Sequence, residues 1–238
     1  QVIFLAKKGL FEEYESLRKK IAAPSSMTLA RHFYYAKYIE KNIFRKINRP
    51  LHVLEIGGGN CVLALILKSK GILASYTDID LPEMLLGGAL SLNWNTSGEM
   101  FQFCFDKPTE SADFNFVPAN KPDAILENKY DLILNFNSLS EMSHEQRDFY
   151  LANIKNWANK GAYFLNVNRR QNQLPQPDGM QFDNNPLTYP YDPNEKVIDI
   201  KVDACQETQR INSTRKWFVK SPPSFCILRL AQTKDEMA

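Results

Sequence analysis

The stretch V-L-E-I-G-G-G-N, residues 53–60, narrows what this chain can fold into more than any other. A short apolar run carries an acidic residue, Glu55, near its end, and three glycines lead into a second apolar segment, residues 61–70. That segment is long enough for a helix, and Gly71 after it tolerates the left-handed conformation that closes one. Strand, glycine turn and helix in this order form the corner at which doubly wound α/β sheets receive nucleotides. Glycine lets the backbone turn sharply and approach a ligand, while the helix start offers unpaired N–H groups. The dinucleotide fingerprint G-x-G-x-x-G needs a third glycine where this chain has Val62, so that pattern fails.

The 238 residues suit one α/β domain with a sizeable core, organised as an N-terminal helical cover (1–50) followed by the sheet-forming part (51–238). A net charge of +2 gives no electrostatic ground for a nucleic-acid or acidic-membrane partner. The basic clusters Lys7-Lys8, Arg18–Lys20 and Arg45-Lys46 with Arg49 read as solvated helix faces. Cys61, Cys104, Cys205 and Cys226 are widely spaced without a C-x-x-C pair, which points to reduced thiols and a cytoplasmic protein. Residues 2–6 are too short an apolar run for a membrane span or a signal segment. Gln1 rather than methionine opens the sequence, so a preceding segment is expected.

Residues 10–22 and 27–47 read as helices separated by Ala23-Pro24-Ser25-Ser26. On the second, Leu29, Phe33, Ala36, Ile39, Ile43 and Ile47 recur every three or four residues as one apolar stripe. His32, Tyr34, Tyr35 and Tyr38 fall off it, with His32 and Tyr35 as candidates to line a cleft. Pro50 ends the helix. After the glycine corner, residues 72–79 read as a second strand and 82–93 as a helix opened by Pro82. Asp80 follows Glu55 at about the interval that separates a glycine corner from the carboxylate receiving a ribose. A helix N-cap is its alternative role, and Asp78 is the alternative in register. Residues 100–105 read as a short strand, 116–120 as the end of another. Residues 130–134 form a clearer strand whose polar end, Asn135 to Glu141, lies at the mouth of the sheet. A helix over 145–158 leads to a strand at 162–167, and Asn166, Asn168, Arg169 and Arg170 gather at its end. Residues 168–195 form a long connection whose Phe182, Tyr189 and Tyr191 argue for a packed loop. Ile198, Ile200 and Val202 alternate with polar residues as in a half-buried strand, and 225–231 read as the terminal strand.

Glu55, Gly57 and Gly59 spell E-x-G-x-G, which resembles the first motif of class I S-adenosylmethionine-dependent methyltransferases. Together with Y-T-D-I-D-L-P-E (76–83) and Y-D-L-I-L-N-F-N-S-L-S-E-M (130–142), it is similar to the bacterial sugar O-methyltransferase family, over residues 51–167. The resemblance implies a Rossmann-like α/β sheet of seven strands, six parallel and one antiparallel, with an N-terminal helical segment. It implies S-adenosylmethionine as cofactor, held at Glu55, Gly57, Gly59 and Asp80. The adjoining Asn60 and Leu81, and Asn120 and Asn135 at the next strand ends, complete the expected cofactor-binding set. Cys61 departs from the pattern, since many relatives carry glycine there. Ser140 stands where plant-type relatives have a histidine base, so that base is not carried over.

A sugar hydroxyl is a poor nucleophile until it loses its proton, so a general base is expected. Glu141 and His144, neighbours if their stretch is helical, are the candidates; capping and surface roles are the alternatives. Asn168, Arg169, Gln171 and Tyr189 offer the amides, cation and aromatic face that would hold a sugar or nucleotide sugar as acceptor. Arg169 suits a phosphate or diphosphate, or a surface ion pair instead. No His, Asp and Glu cluster has recognisable metal spacing, so no metal ligands are assigned, though scattered carboxylates could still bind Mg²⁺. Three other readings stay open: a methyltransferase with another small acceptor, a nicotinamide oxidoreductase (disfavoured by Val62 and the lack of Tyr-x-x-x-Lys), and a non-catalytic module of the same fold.

Overall fold

The computed structural model describes residues 2–106, 112–170, 185–207 and 226–233. Its contacts divide into two units, residues 1–126 and 127–238. The first opens with helices α1 (Val2–Lys7), α2 (Phe11–Lys20) and α3 (Met27–Ile39), the last continuing through a π-helical turn, Glu40–Phe44, into α4 (Arg45–Ile47). Ser26 starts α3 by accepting a hydrogen bond from the Leu29 amide at 3.0 Å, and left-handed Asn48 ends the run before Pro50. The stripe from Leu29 to Ile43 is buried and Ile47 is half-buried. Tyr35 and Tyr38 are buried as well, because α3 is covered by more than one neighbour and packs against both α1 and the helix after the glycine turn.

That turn joins β1 (Leu51–Ile56) to α5 (Val62–Ser69), and Gly71 closes the helix at φ 68° as the sequence predicts. The unit continues with β2 (Leu73–Asp80), α6 (Pro82–Asn95), β3 (Phe101–Phe103) and β4 (Phe114–Pro118). Its strands lie in the order β3-β4-β2-β1, every pairing parallel. β1 and β4 are buried along almost their whole length, polar Glu55 and Asn115 included, as parallel strands covered on both faces are.

The second unit holds β5 (Tyr130–Phe136), a 3-10 turn (Ser138–Glu141), α7 (His144–Trp157), β6 (Ala158–Arg169), β7 (Lys196–Val202) and β8 (Cys226–Gln232). The order is β5-β6-β8-β7, with β5 and β6 parallel and β8 antiparallel to both its neighbours. One antiparallel strand near the end is thus observed. Eight strands are described rather than seven. The additional one is β3, laid along the outer side of β4 with Phe101 and Phe103 stacked on Phe114 and Phe116 at 5.1 and 5.2 Å.

β7 is not half-buried: Ile198, Ile200 and Val202 are 36%, 50% and 46% exposed. It pairs with β8 alone as the outermost strand of its unit, so its alternation marks no core face. Gln171 and Phe182 lie outside the described residues. No described helix is long and apolar enough to cross a membrane.

Candidate cofactor corner and acceptor-side residues

Side chains two apart on a strand share a face, so Tyr76, Asp78 and Asp80 of β2 stand in one row. β1 lies beside it with Glu55 in register with Asp78. The glycine turn folds over this row, Gly57 and Gly59 taking φ 77° and 56°. Tyr76 donates its hydroxyl to Glu55 Oε2 at 2.7 Å. The Gly58 amide donates to Asp78 Oδ1 at 2.8 Å and the Gly59 amide to Asp80 Oδ2 at 2.9 Å. The other Asp80 oxygen accepts from the Leu81 amide at 2.7 Å. Glu55 and Asp78 are buried, whereas Asp80, at the strand end, is half-buried.

All the partners of these three carboxylates are neutral: a phenol, three amides and the Cys61 thiol. Among the described residues no lysine, arginine or histidine pairs with them. Burial therefore raises each carboxyl, Glu55 to about 7 and Asp78 well above the usual range, with the neighbouring carboxylates adding to the effect. Two amides of the turn, those of Gly58 and Gly59, are already committed to carboxylates, which leaves fewer donors there for a pyrophosphate.

Asn60 and Leu81 are exposed beside this corner, and Asn120 is exposed two residues beyond β4. The Ala119 amide donates to the Asp80 carbonyl at 2.8 Å, so the ends of β2 and β4 meet. The structure thus brings Glu55, Gly57, Gly59, Asn60, Asp80, Leu81 and Asn120 into one region of the first unit. Asp80 is not an N-cap; Leu81 holds that position, and Pro82 opens α6. Tyr76 was not singled out in the sequence, although its place two residues before Asp78 carries the signal.

In the second unit the strand ends form an amide network. Asn168 donates to Asn135 Oδ1 at 2.7 Å and to Asn166, and accepts from the Ser140 amide at 2.9 Å. Asn166 donates to the Tyr191 hydroxyl at 2.6 Å. Asn135 and Asn168 are completely buried, and these bonds hold the strand ends and the 3-10 turn together. His32, the earlier cleft candidate, bonds within its own helix, Nδ1 lying 2.8 Å from the Thr28 carbonyl oxygen. Glu141 and His144 do not share a helix. Met142 is extended between them, and Ser143 caps α7 in a reciprocal box with Gln146. Glu141 and Arg169 are exposed, His144 half-buried.

Tyr189 is 5% exposed with no hydrogen-bond partner on its hydroxyl, and the Arg147 guanidinium lies 4.7 Å over its ring. Tyr191 lies 5.8 Å from Tyr189 and is covered by Arg229 at 3.8 Å. Arg229 pairs with Glu195 at 2.7 Å, both side chains almost fully buried. Arg147, Glu195 and Arg229 were not expected here, since strand register and loop packing bring them in.

No protein-family model and no curated protein sequence matches this chain. Solved structures do. A candidate methyltransferase from Bacillus halodurans C-125 aligns over 78% of this chain and 93% of its own, with a TM-score of 0.53 at 10% identity. A candidate sarcosine dimethylglycine methyltransferase from Galdieria sulphuraria aligns over 85% and 86%, with a TM-score of 0.55 at 9% identity. The [4+2]-cyclase SpnF aligns over 79% and 76%, with a TM-score of 0.54 at 14% identity. At such identities the likeness concerns backbone architecture, and the cyclase shows that one architecture serves different reactions. The chain has the α/β, Rossmann-like fold of the methyltransferases.

Proposed function

We propose that this chain is an S-adenosylmethionine-dependent methyltransferase acting on the hydroxyl of a sugar or nucleotide sugar. One observation carries the cofactor assignment: three carboxylates without a cationic partner lie beneath a glycine turn whose Gly58 and Gly59 amides are already bonded. A phosphate-bearing dinucleotide would meet carboxylates there and few free donors. A nucleoside bearing a sulfonium and an ammonium meets complementary charge. Asp80, at the end of β2, would take the ribose hydroxyls, with Leu81 and Asn120 beside the base and Asn60 and Gly57 to Gly59 along the amino-acid end. When bound, the cofactor supplies an activated methyl group on sulfur.

The residues of the second unit would serve the acceptor. Glu141 is the proposed base that takes the hydroxyl proton, with His144 as the other candidate. Arg169 would bind a phosphate through its planar fork. Tyr189, buried with Arg147 over its ring, would support the acceptor side from beneath rather than present a face to it. Asn135 and Asn168, whose amides are committed to one another and to the turn, would position the strand ends rather than grip the acceptor. The sugar assignment rests on the resemblance of D-L-P-E and N-x-x-S-x-x-E-M, residues 80–83 and 135–142, to the sugar O-methyltransferase family.

Calorimetry with S-adenosylhomocysteine, S-adenosylmethionine and NAD tests the cofactor reading. The first two bind and raise the melting temperature, by about 2.7 kcal/mol of stabilisation at one hundred times the dissociation constant, and NAD does not. Binding of NAD in preference to either would refute it.

A further inference from the structure

Cys61 takes a left-handed backbone conformation, φ 51°, that glycine adopts freely and other residues only at a cost. Its side chain must contribute something that glycine could not. The thiol is buried and donates to Asp78 Oδ2 at 3.4 Å. The other Asp78 oxygen receives the Gly58 amide, and the Cys61 amide donates to the Gly58 carbonyl at 3.0 Å. One carboxylate thus holds both ends of the turn. The fit around it is close. A β-carbon on Gly58 would come within 2.5 Å of the Tyr76 hydroxyl, and one on Gly88 of α6 within 2.7 Å of the Cys61 sulfur.

We propose that Cys61 and Asp78 are positioning residues, whose thiol-to-carboxylate bond fixes the glycine turn with its amides directed onto β2 and so sets the preference for a cationic, phosphate-free nucleoside. The bond leaves Asp78 gripping residues 58 and 61 while Asp80 grips residue 59, so the turn has no amide to spare for an anion at Gly58 or Gly59. The Cys61 and Asp78 side chains are both completely buried. The ligand preference rests on the cofactor reading above; the shape of the turn does not.

The test compares the full chain with C61A and C61S. All three carry a β-carbon in the same left-handed conformation, so the backbone cost is shared and the contrast isolates the side-chain donor, which faces Asp78 Oδ2 at 3.4 Å and the Gly59 carbonyl at 3.8 Å. Two measurements are made: amide hydrogen exchange at residues 58–61 without ligand, and calorimetry with S-adenosylhomocysteine. In C61A, exchange at Gly58 and Gly59 quickens and binding weakens by about tenfold, the order of magnitude of one lost buried hydrogen bond. C61S, whose hydroxyl donates to the same oxygen, stays close to the unsubstituted protein in both. Exchange in C61A equal to that of the unsubstituted chain, or C61S no better than C61A, overturns the clasp. Faster exchange with unchanged affinity overturns its role in ligand preference. Failure of all three proteins to bind refutes the cofactor reading instead, while exchange still decides the clasp.

Discussion

Replacing Glu55 by glutamine should make the ligand-free protein more stable, by a margin that grows between about pH 4.5 and 7 and is complete above neutral pH. Glu55 is 2% exposed, its sole hydrogen bond comes from Tyr76, and burial with Asp80 nearby raises its pKa from 4.5 to about 7. Below the unfolded value both states hold the proton and the residue makes no difference. As pH rises the unfolded chain releases its proton first, and the folded state falls behind until it too ionises near 7. The gap of about 2.5 pH units, at about 1.4 kcal/mol each, amounts to about 3 kcal/mol of stability lost between those two values. Glutamine does not titrate, and its carbonyl oxygen still accepts the Tyr76 hydroxyl. Urea denaturation should therefore give the two proteins similar stability at about pH 4 and favour E55Q by about 3 kcal/mol at about pH 8. On the proposed function, S-adenosylmethionine binding should change in the opposite sense, weakening in the more stable variant. A stability difference that is the same at both pH values would refute the buried, unpaired carboxylate as its cause.

Asp80→Ala frees the Gly59 and Leu81 amides, which water can reach, so it should cost about 1–2 kcal/mol in denaturant titrations but weaken S-adenosylhomocysteine binding more than tenfold. Unchanged affinity by calorimetry would remove the ribose role. Glu141→Gln should lower kcat by about 10²–10⁴-fold at unchanged S-adenosylhomocysteine affinity; full turnover would shift the base to His144. Arg169→Ala should raise KM for a phosphate-bearing acceptor by about tenfold with kcat little changed, and steady-state kinetics showing the reverse would place Arg169 at the chemical step. Arg229→Met strands the buried Glu195 carboxylate, so the unfolding free energy should fall by about 3–5 kcal/mol, with part of it regained in the double variant with Glu195→Gln.

The first unit was largely legible in the sequence because its signals are local. Three glycines, Gly71 after the helix and Pro82 at the start of the next fix strand, turn and helix without reference to distant residues. The same applies to Asp80, whose place follows from counting along the chain. The role of Tyr76 and Asp78 was only half visible: alternation sets them on the face of Asp80, but that the turn would spend its amides on them depends on its three-dimensional path. The second unit was less legible. Asn166 and Arg229 are paired across β6 and β8, a register no local pattern encodes. Glu141 and His144 looked like helical neighbours because Ser143 and Gln146 were not recognised as a capping box, although their spacing announces one. For β7 the alternation was true and the inference drawn from it was not, since an outermost strand has no obligation to bury the apolar side.

The placing of β8 between β6 and β7 has a consequence for how the chain is made. Synthesis runs from the N-terminus, and every partner of β2, β3 and β4 has emerged once residue 118 has been added. β7 follows β6 in sequence yet bonds to neither β5 nor β6; its one strand partner among the described residues, β8, is made after it. During translation β7 must therefore wait with its backbone donors and acceptors unpaired, alongside Val197, Ile198, Ile200 and Val202. A half-made second unit carries an apolar strand with two open edges, the kind of segment that recruits other chains. Lys196, Asp199 and Lys201, spaced through it, place charge where such pairing would otherwise begin.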